Sequence, residues 1–397
     1  MNHYLDFCKK NFDLLAMARK CPETRKQPSI PMPQIFLLMI IGLSMRRRSF
    51  HQIDQFARMP AVKRLLGSTR SMVASDATLG RVLPTLPVAA MRELAAANFV
   101  RWKQRGGHYL TLPSGRRIRL GIVDGTMFGR YYASCLQVRS DAGDCFVDLE
   151  VQPGRGHELY GSETVLKRAV GRHGWSFVDL VAGDGLYMAA PFFRKARQNH
   201  LHMLVKLKAT EEGTLLILKA ARALFDSGST EGVERVEGVD EARGVRYRIQ
   251  AASGFEHEGY DEATLKVARV VEEPLKPSAG AHSETFWVVS TNESFKAIDL
   301  RELAHQRWSV ENLGFKMLSD QMNSKHVWTR GKKSRQTIEV LMLLMFVAFT
   351  MVKAFEAALD ERDLWMTWRL RKLTLEFLVR IWESTLTEAS PLFEASG

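Results

Sequence analysis

The first 110 residues of the 397-residue chain carry apolar side chains at helical spacing, without a convincing run of alternating apolar and polar positions. Proline, which ends or bends helices, interrupts this pattern repeatedly. The interruptions fall at Pro28, Pro31, Pro33, Pro60, Pro84 and Pro87. We therefore predict a small helical N-terminal domain over residues 1–110.

From about residue 117 the pattern changes to short runs rich in β-branched and aromatic residues, bounded by Gly or Asp. The first three runs, RIRLGIVDGT, MFGRYYASCLQV and CFVDLEVQ, predict three sequential strands. A helix over residues 162–171, the strand SFVDLVAGD, a helix over residues 189–199 and the strand LHMLVKLK follow. This order predicts an α/β fold with a ribonuclease-H-like core, whose first part spans residues 111–208.

Residues 209–283 are polar and rich in Gly and Glu, and they contain the strand-like pieces GVRYRIQA and TLKVARVV. We interpret this segment as a β-rich insertion. The core resumes over residues 284–335 with the strand TFWVVSTN and the helix RELAHQRWSVENLGFKML. Residues 336–397 form a C-terminal region, which we predict to be helical from residue 336 to residue 385.

The two most apolar runs of the chain are Ile35–Met45 and Ile338–Val352. The first is too short to cross a bilayer and Glu339 interrupts the second, so both predict buried helices. The start of the chain lacks the basic-then-apolar pattern of a signal peptide, and the four cysteines show neither zinc-site nor disulfide spacing. We therefore expect a reducing cytoplasm and no membrane partner.

The charge of the chain indicates a polyanionic partner. Lys and Arg number 56 against 44 Asp and Glu, which gives a net charge of +12 and a pI near 9.6. In the N-terminal domain the basic run Arg46, Arg47 and Arg48 precedes SFHQIDQFARM, and Ser75 begins a second apolar-periodic stretch. Two interpretations stay open: DNA contacts of the helix-turn-helix type, or a helical pack with a solvated basic face.

Three acidic residues form the candidate chemical site. Asp124 in GIVDGT and Asp184 in VAGDGLY each follow an apolar strand and precede a glycine, and Glu311 lies on the last predicted helix with Arg307 four residues earlier. Singly, each Asp could be a turn residue and Glu311 a surface ion-pair partner. Together, the three suit hard divalent cations such as Mg²⁺, which prefer oxygen ligands. Clustering also predicts that at least one of the acids has a raised pKa.

These residues resemble the DDE-type insertion-sequence transposases of the branch with a β insertion and a YREK signature. That signature is Tyr, two residues, Arg, three residues, Glu, six residues, Lys. Arg307 and Glu311 have its spacing, with Trp308 beside the arginine. The chain departs from it at the Tyr and Lys positions, which are occupied by Ala304 and Leu318, although His305 and Lys316 lie close to those two positions.

The resemblance covers roughly residues 117–355 and implies a catalytic ribonuclease-H-like domain that cuts DNA at transposon ends and joins the freed strand to target DNA. It implies that Asp124, Asp184 and Glu311 hold Mg²⁺ or Mn²⁺, as two ions, and that Arg307 contacts a DNA phosphate. It further implies double-stranded DNA partners, namely terminal inverted repeats and target DNA, and a homodimer that pairs two DNA ends. Dimerisation is expected in the C-terminal helices 336–385, and the expected location is the bacterial cytoplasm, at the nucleoid when DNA is bound. Further candidate DNA-binding residues are His305, Trp308, Lys316, Arg46, Arg47 and Arg48.

Two other functions stay open. The departures from YREK leave room for a DNA-binding regulator without catalysis, and the fold would equally serve a nuclease acting on another nucleic acid. Four further residues have either a site role or a structural one. Trp287 and Tyr260 would stack on a displaced base or pack in the core, and His157 and Tyr187 would approach the site or serve structure alone.

Overall fold

A computed structural model describes residues 2–67, 73–105, 108–152, 154–276, 282–330 and 333–360. Its N-terminal part is helical, as predicted. Ser49 and Ser75 act as N-caps, since their side chains accept hydrogen bonds from the backbone N–H groups of Gln52 and Thr78. The helices are α1 (Asn2–Phe12), α2 (Leu14–Lys20), α3 (Met32–Ser44), α4 (Phe50–Ala57), α5 (Pro60–Leu65), α6 (Asp76–Val82) and α7 (Val88–Gln104).

The middle of the chain alternates strands and helices in the predicted order. A hairpin of two strands, each two residues long, precedes the core, and the three long strands that follow form the expected meander. The elements are β1 (Leu110–Thr111), β2 (Arg117–Ile118), β3 (Leu120–Phe128), β4 (Tyr131–Ser140), β5 (Gly143–Gln152), α8 (Glu158–His173), β6 (Leu180–Gly183), α9 (Ala190–Gln198) and β7 (His202–Lys208).

The second half begins with the segment predicted as a β-rich insertion, which also contains a helix that the sequence pattern did not indicate. The insertion contributes α10 (Leu216–Asp226), β8 (Val233–Asp240), β9 (Val245–His257) and β10 (Tyr260–Pro274). The chain continues with β11 (Glu284–Ser290), α11 (Ala297–Arg307), a π-helical segment (Val310–Phe315), α12 (Lys316–Met322) and α13 (Ser334–Asp360).

Nine of these strands form one mixed sheet in the order β5-β4-β3-β6-β7-β11-β10-β9-β8. Five neighbouring strands of this sheet, β5, β4, β3, β6 and β7, are the ribonuclease-H-like core. In it β3, β6 and β7 run parallel and the meander is antiparallel. Strand β11 pairs antiparallel with β7 and the insertion strands follow it. The insertion therefore extends the core sheet instead of forming a separate layer.

Buried ion pairs connect the insertion to helix α11. The guanidinium of Arg301, which is 3% exposed, donates to Glu272 on β10 at 2.6 Å and to Asp240 on β8 at 3.1 Å. The same group lies 4.2 Å from the ring centroid of Tyr247 on β9. His305, one turn further along α11, also contacts Glu272, at 2.8 Å. Helix α11 is thus held against all three insertion strands.

Helix α13 is the predicted C-terminal apolar helix, and it lies inside the protein. It packs on β5 and against α3 and α7, so the N-terminal helices and the sheet share its apolar surface. Residues 334–358 are long and apolar enough to cross a membrane, but 94% of the most apolar window is buried among other elements. The expectation of a buried helix is confirmed. The part of the proposed dimerisation region beyond residue 360 lies outside the described residues.

We predict that replacing Arg301 by alanine strongly destabilises the protein, because it removes the buried cation shared by Glu272 and Asp240, which keep only their contacts with His305 and Arg243. Breaking a buried ion pair from one side costs about 3–5 kcal/mol. The measurement is urea unfolding followed by circular dichroism. The matched control is Arg248→Ala, which removes an exposed arginine paired with Glu273 in the same insertion and should cost less than about 1 kcal/mol. Equal losses in the two variants would contradict the prediction.

Candidate active site

The register of two parallel strands places Asp124 and Asp184 side by side. Ile122 on β3 pairs with Ala182 on β6, and each aspartate lies two residues beyond this pair. Asp184 follows β6 directly, as predicted. The prediction that Asp124 ends its strand is wrong, because β3 continues to Phe128 and Asp124 pairs with Cys135 of β4. Only the parallel pairing ends before Asp124, so the two acids still share one level of the sheet.

Glycines beside the two aspartates permit close packing by tyrosine rings. A Cβ atom on Gly125 would lie 2.2 Å from the hydroxyl oxygen of Tyr132, and one on Gly183 would lie 2.6 Å from the ring of Tyr187. Both distances are shorter than non-bonded atoms tolerate. The Asp-Gly and Gly-Asp pairs of the sequence therefore reflect tight packing beneath the site, and the fully buried Tyr187 belongs to that packing.

Asp124 is a buried acid with one oxygen that has no hydrogen-bond partner. Its Oδ1 accepts a hydrogen bond from the N–H of Gly125 at 2.7 Å, whereas Oδ2 is buried and unpartnered. Burial raises the pKa of Asp124 to about 8, and the negative charges of Glu311 and Asp184 contribute to this rise. The guanidinium of Arg307 acts in the opposite direction. The direction of this shift is the one predicted for an acid near other acids, and the grouping of all three acids into one metal site stays a prediction.

Glu311 reaches the site from a π-helical segment between α11 and α12. Its Oε1 lies 2.8 Å from Nη1 of Arg307, and the same nitrogen lies 3.6 Å from Oδ2 of Asp124. Gly314 in this segment faces the sheet so closely that a Cβ atom there would lie 2.6 Å from Gln137. Arg307, with 6% of its side chain exposed, thus connects the third acid to the first.

The site offers oxygen ligands suited to a hard divalent cation. Oδ2 of Asp124 accepts no hydrogen bond and lies 3.6 Å from Nη1 of Arg307, and half-buried Asp184 accepts a 3.0 Å hydrogen bond on Oδ1 from the N–H of Leu186. Glu311 is paired with Arg307, and nowhere in the described ranges are three His, Cys, Asp or Glu side chains grouped as a ready metal cage. Asp124 and Asp184 are therefore the part of the site that fits a metal as it stands.

The remaining predicted residues of the Glu311 helix lie in different surroundings. His305 contacts Glu272 of the insertion and so lies away from the acids. The ring of Trp308 is half-buried, with the ammonium of Lys206 3.1 Å from its centroid. Burial lowers the pKa of Lys206 to about 8. Lys316 is exposed on α12.

The aromatic candidates Trp287 and Tyr260 are 0% and 2% exposed, so both are core residues.

The signature positions that depart from YREK are buried as well. Ala304 is 0% exposed and Leu318 is 1% exposed, so both side chains belong to the core. In the described chain neither position presents a polar group to the acids.

The basic run of the N-terminal domain occupies the turn between α3 and α4. Arg46 has a left-handed backbone with φ of 58°, and Arg48 is exposed. The guanidinium of Arg47 lies 5.1 Å from the ring centroid of Phe56. Asn323, just after α12, donates a hydrogen bond to the carbonyl of Arg48 at 2.9 Å. This contact joins the basic turn to the same part of the core that carries Glu311.

We predict that Asp124 makes the metal-free protein less stable as the pH rises. Its pKa is about 8 in the folded chain and about 4 in an unfolded one, so the folded state binds the extra proton between these values. The stabilisation is complete below pH 4 and is lost as the pH approaches 8. Urea unfolding at pH 5 and pH 8 in a chelator should show a larger loss for the wild type than for Asp124→Asn, which stays neutral. Identical losses would refute the assigned pKa.

Comparisons with known proteins identify the family. No curated protein sequence matches the chain. The cryo-EM structure of a piggyBac transposase synaptic complex with hairpin DNA is similar with a TM-score of 0.42 and 12% identity, covering 99% of this chain and 86% of that chain. The sequence profile of the family described as "Transposase DDE domain" matches residues 116–349, which is more than half of the chain and includes all three acids. The chain therefore belongs to the DDE transposase family.

Proposed function

We propose that this transposase cuts DNA at transposon ends and transfers the freed strand into target DNA, using Asp124, Asp184 and Glu311 as metal ligands. The observation that carries the proposal is the placement of Asp124 and Asp184 at one level of two parallel strands, with Glu311 joined to Asp124 through Arg307. Two Mg²⁺ or Mn²⁺ ions at such a site would activate the attacking oxygen and stabilise the leaving one.

The chain's own residues prepare the site for a polyanion. Oδ2 of Asp124, which accepts no hydrogen bond, and the second carboxylate oxygen of Asp184 would bind the cations, and the burial of Asp124 would exclude competing water. The net charge of +12 favours DNA through counterion release. Exposed Lys316, beside the Glu311 segment, and exposed Arg48 are the predicted positions that remain available for backbone phosphates.

Arg307 has two successive roles in this proposal. In the metal-free chain its guanidinium pairs with Glu311 at 2.8 Å and lies 3.6 Å from Oδ2 of Asp124. With divalent cations bound to those carboxylates, Arg307 would contact a DNA phosphate at the cut.

The first test is cleavage of a duplex carrying the terminal repeat of the element that encodes this chain, with Mg²⁺ or Mn²⁺. Asp184→Asn and Glu311→Gln should bind the duplex normally and cut it more than about 100-fold more slowly, because even loss of an outer partner of a metal ligand costs 10–100-fold. The control is Glu93→Gln, which removes an exposed carboxylate of α7 outside the site. Binding of the repeat without cleavage by the wild type would favour a DNA-binding regulator. Equal cleavage of random duplexes would favour a general nuclease.

The Arg307 role predicts a change in the salt dependence of DNA binding. One additional phosphate contact steepens the slope of log K against log salt by about 0.9. Adding Mg²⁺ should therefore steepen the wild-type slope, after correction for the ion's own screening, and the Arg307→Gln slope should lack this increment. Lys316→Gln is the matched control, since it removes an exposed cation and lowers the slope equally with and without Mg²⁺. A Mg²⁺ increment retained by Arg307→Gln would overturn the assignment.

A further inference from the structure

A fourth carboxylate lies buried beneath the candidate site. Glu158, the first residue of α8, is 6% exposed and forms no ion pair with any cation in the described ranges. Its Oε2 accepts a hydrogen bond from the hydroxyl of Tyr132 at 2.5 Å, and its Oε1 accepts one from the hydroxyl of Tyr187 at 3.1 Å. Its position in the first turn of α8 also favours negative charge. Burying an acidic side chain lowers the stability of a protein, which indicates that this buried acid, held by two tyrosines, has a function.

The two tyrosines lead from Glu158 to the two aspartates. Tyr132 belongs to β4, and its hydroxyl occupies the space that a side chain on Gly125 would need, directly after Asp124. Tyr187 belongs to the turn that follows β6, and its ring fills the corresponding space at Gly183, directly before Asp184. Each tyrosine therefore packs against the backbone adjacent to one of the acids.

Further hydrogen bonds fix Glu158 itself. The carbonyl of Glu158 accepts a hydrogen bond from the hydroxyl of Ser134 at 2.9 Å, and Gln152 donates to the same hydroxyl oxygen at 2.6 Å. The hydroxyls of Tyr187 and Ser162 are 2.9 Å apart. Glu158 is thus tied to β4 through Ser134 and through Ser134 to β5.

The pKa shifts of the two tyrosines agree with a position of Glu158 close to the acids of the site. Burial and the hydrogen bond to Glu158 raise the pKa of Tyr132, and the charge of Asp124 raises it further. Burial and the charge of Glu158 raise the pKa of Tyr187, with smaller contributions from Asp124 and Asp184. Both hydroxyls therefore remain protonated and keep donating to Glu158.

We propose that Glu158 is a positioning residue, which acts through the hydroxyls of Tyr132 and Tyr187 to hold the backbones of Asp124 and Asp184 at the spacing that divalent cations require. This inference rests on the proposed function. Glu158 itself does not touch a cation or DNA. Its contribution is preorganisation, since metal ligands hold their geometry only when the groups behind them are fixed.

The test is a titration of Mn²⁺ into the full-length protein without DNA, followed by calorimetry, for Glu158→Gln, Tyr132→Phe and Tyr187→Phe. Each variant should raise the dissociation constant for Mn²⁺ by about 10–100-fold, the range known for outer partners of metal ligands. Matched controls lie on the same helix. Glu163→Gln alters a surface acid paired with Lys195, and Tyr160→Phe alters a tyrosine that is 70% exposed, so both should bind Mn²⁺ as the wild type does.

A second readout separates positioning from general structure. Cleavage by the Glu158 and tyrosine variants should recover at saturating Mn²⁺, and in a chelator their affinity for the duplex should equal that of the wild type. Should Glu158→Gln fail to fold, the two Tyr→Phe variants, which each remove one hydroxyl, decide the question. Wild-type Mn²⁺ affinity in those variants, or a cleavage defect that saturating Mn²⁺ does not relieve, would overturn the inference. A wild-type chain that binds no Mn²⁺ would instead refute the proposed function on which it rests.

Discussion

The charge balance at Asp124 is the constraint around which the site is organised. A carboxylate with little access to water is costly to ionise, and two further acids near it raise that cost. Arg307 offsets part of the cost from one side of the site, but it leaves Oδ2 of Asp124 without a hydrogen bond. The metal-free chain thus keeps Asp124 protonated up to about pH 8, and a divalent cation at the site would take the place of that proton.

Helix α11 makes this balance depend on the insertion. Along this helix Arg301 and His305 bind Glu272 of β10, and Arg307 then binds Glu311 and approaches Asp124. Helix α11 therefore contacts the insertion strands along one part of its length and places the guanidinium of Arg307 beside the acids at its end. The insertion strands lie beyond β7 and β11, but they belong to the same nine-stranded sheet as the core. The insertion therefore contributes to the placement of Glu311 through its contacts with α11.

Residue patterns predicted the elements better than they predicted their junctions. Alternating apolar runs located β3 to β7, and the spacing of Arg307 and Glu311 placed them on one face, because both patterns are local. Asp124 lies inside β3 because β3 continues to pair with β4 beyond the end of its parallel pairing with β6, which is a property of three strands together. The burial of Glu158 and the π-helical turn around Glu311 follow from packing against distant segments such as Tyr132 and Gln137. In the sequence these contacts are marked by the glycines at 125, 183 and 314, but glycines in turns would give the same pattern.

The position of α13 has a consequence for the order in which the chain can fold during synthesis. Helix α13, which completes the apolar core of the N-terminal helices α3 and α7, begins about 230 residues after α7 ends. At the usual rates of translation, that interval lasts roughly 10–50 s. Until α13 emerges, the nascent N-terminal segment exposes apolar surface and the meander lacks its cover, so maturation of both halves is a late event. The basic turn at Arg46–Arg48 consequently reaches its final setting only after nearly the whole DDE domain has been made.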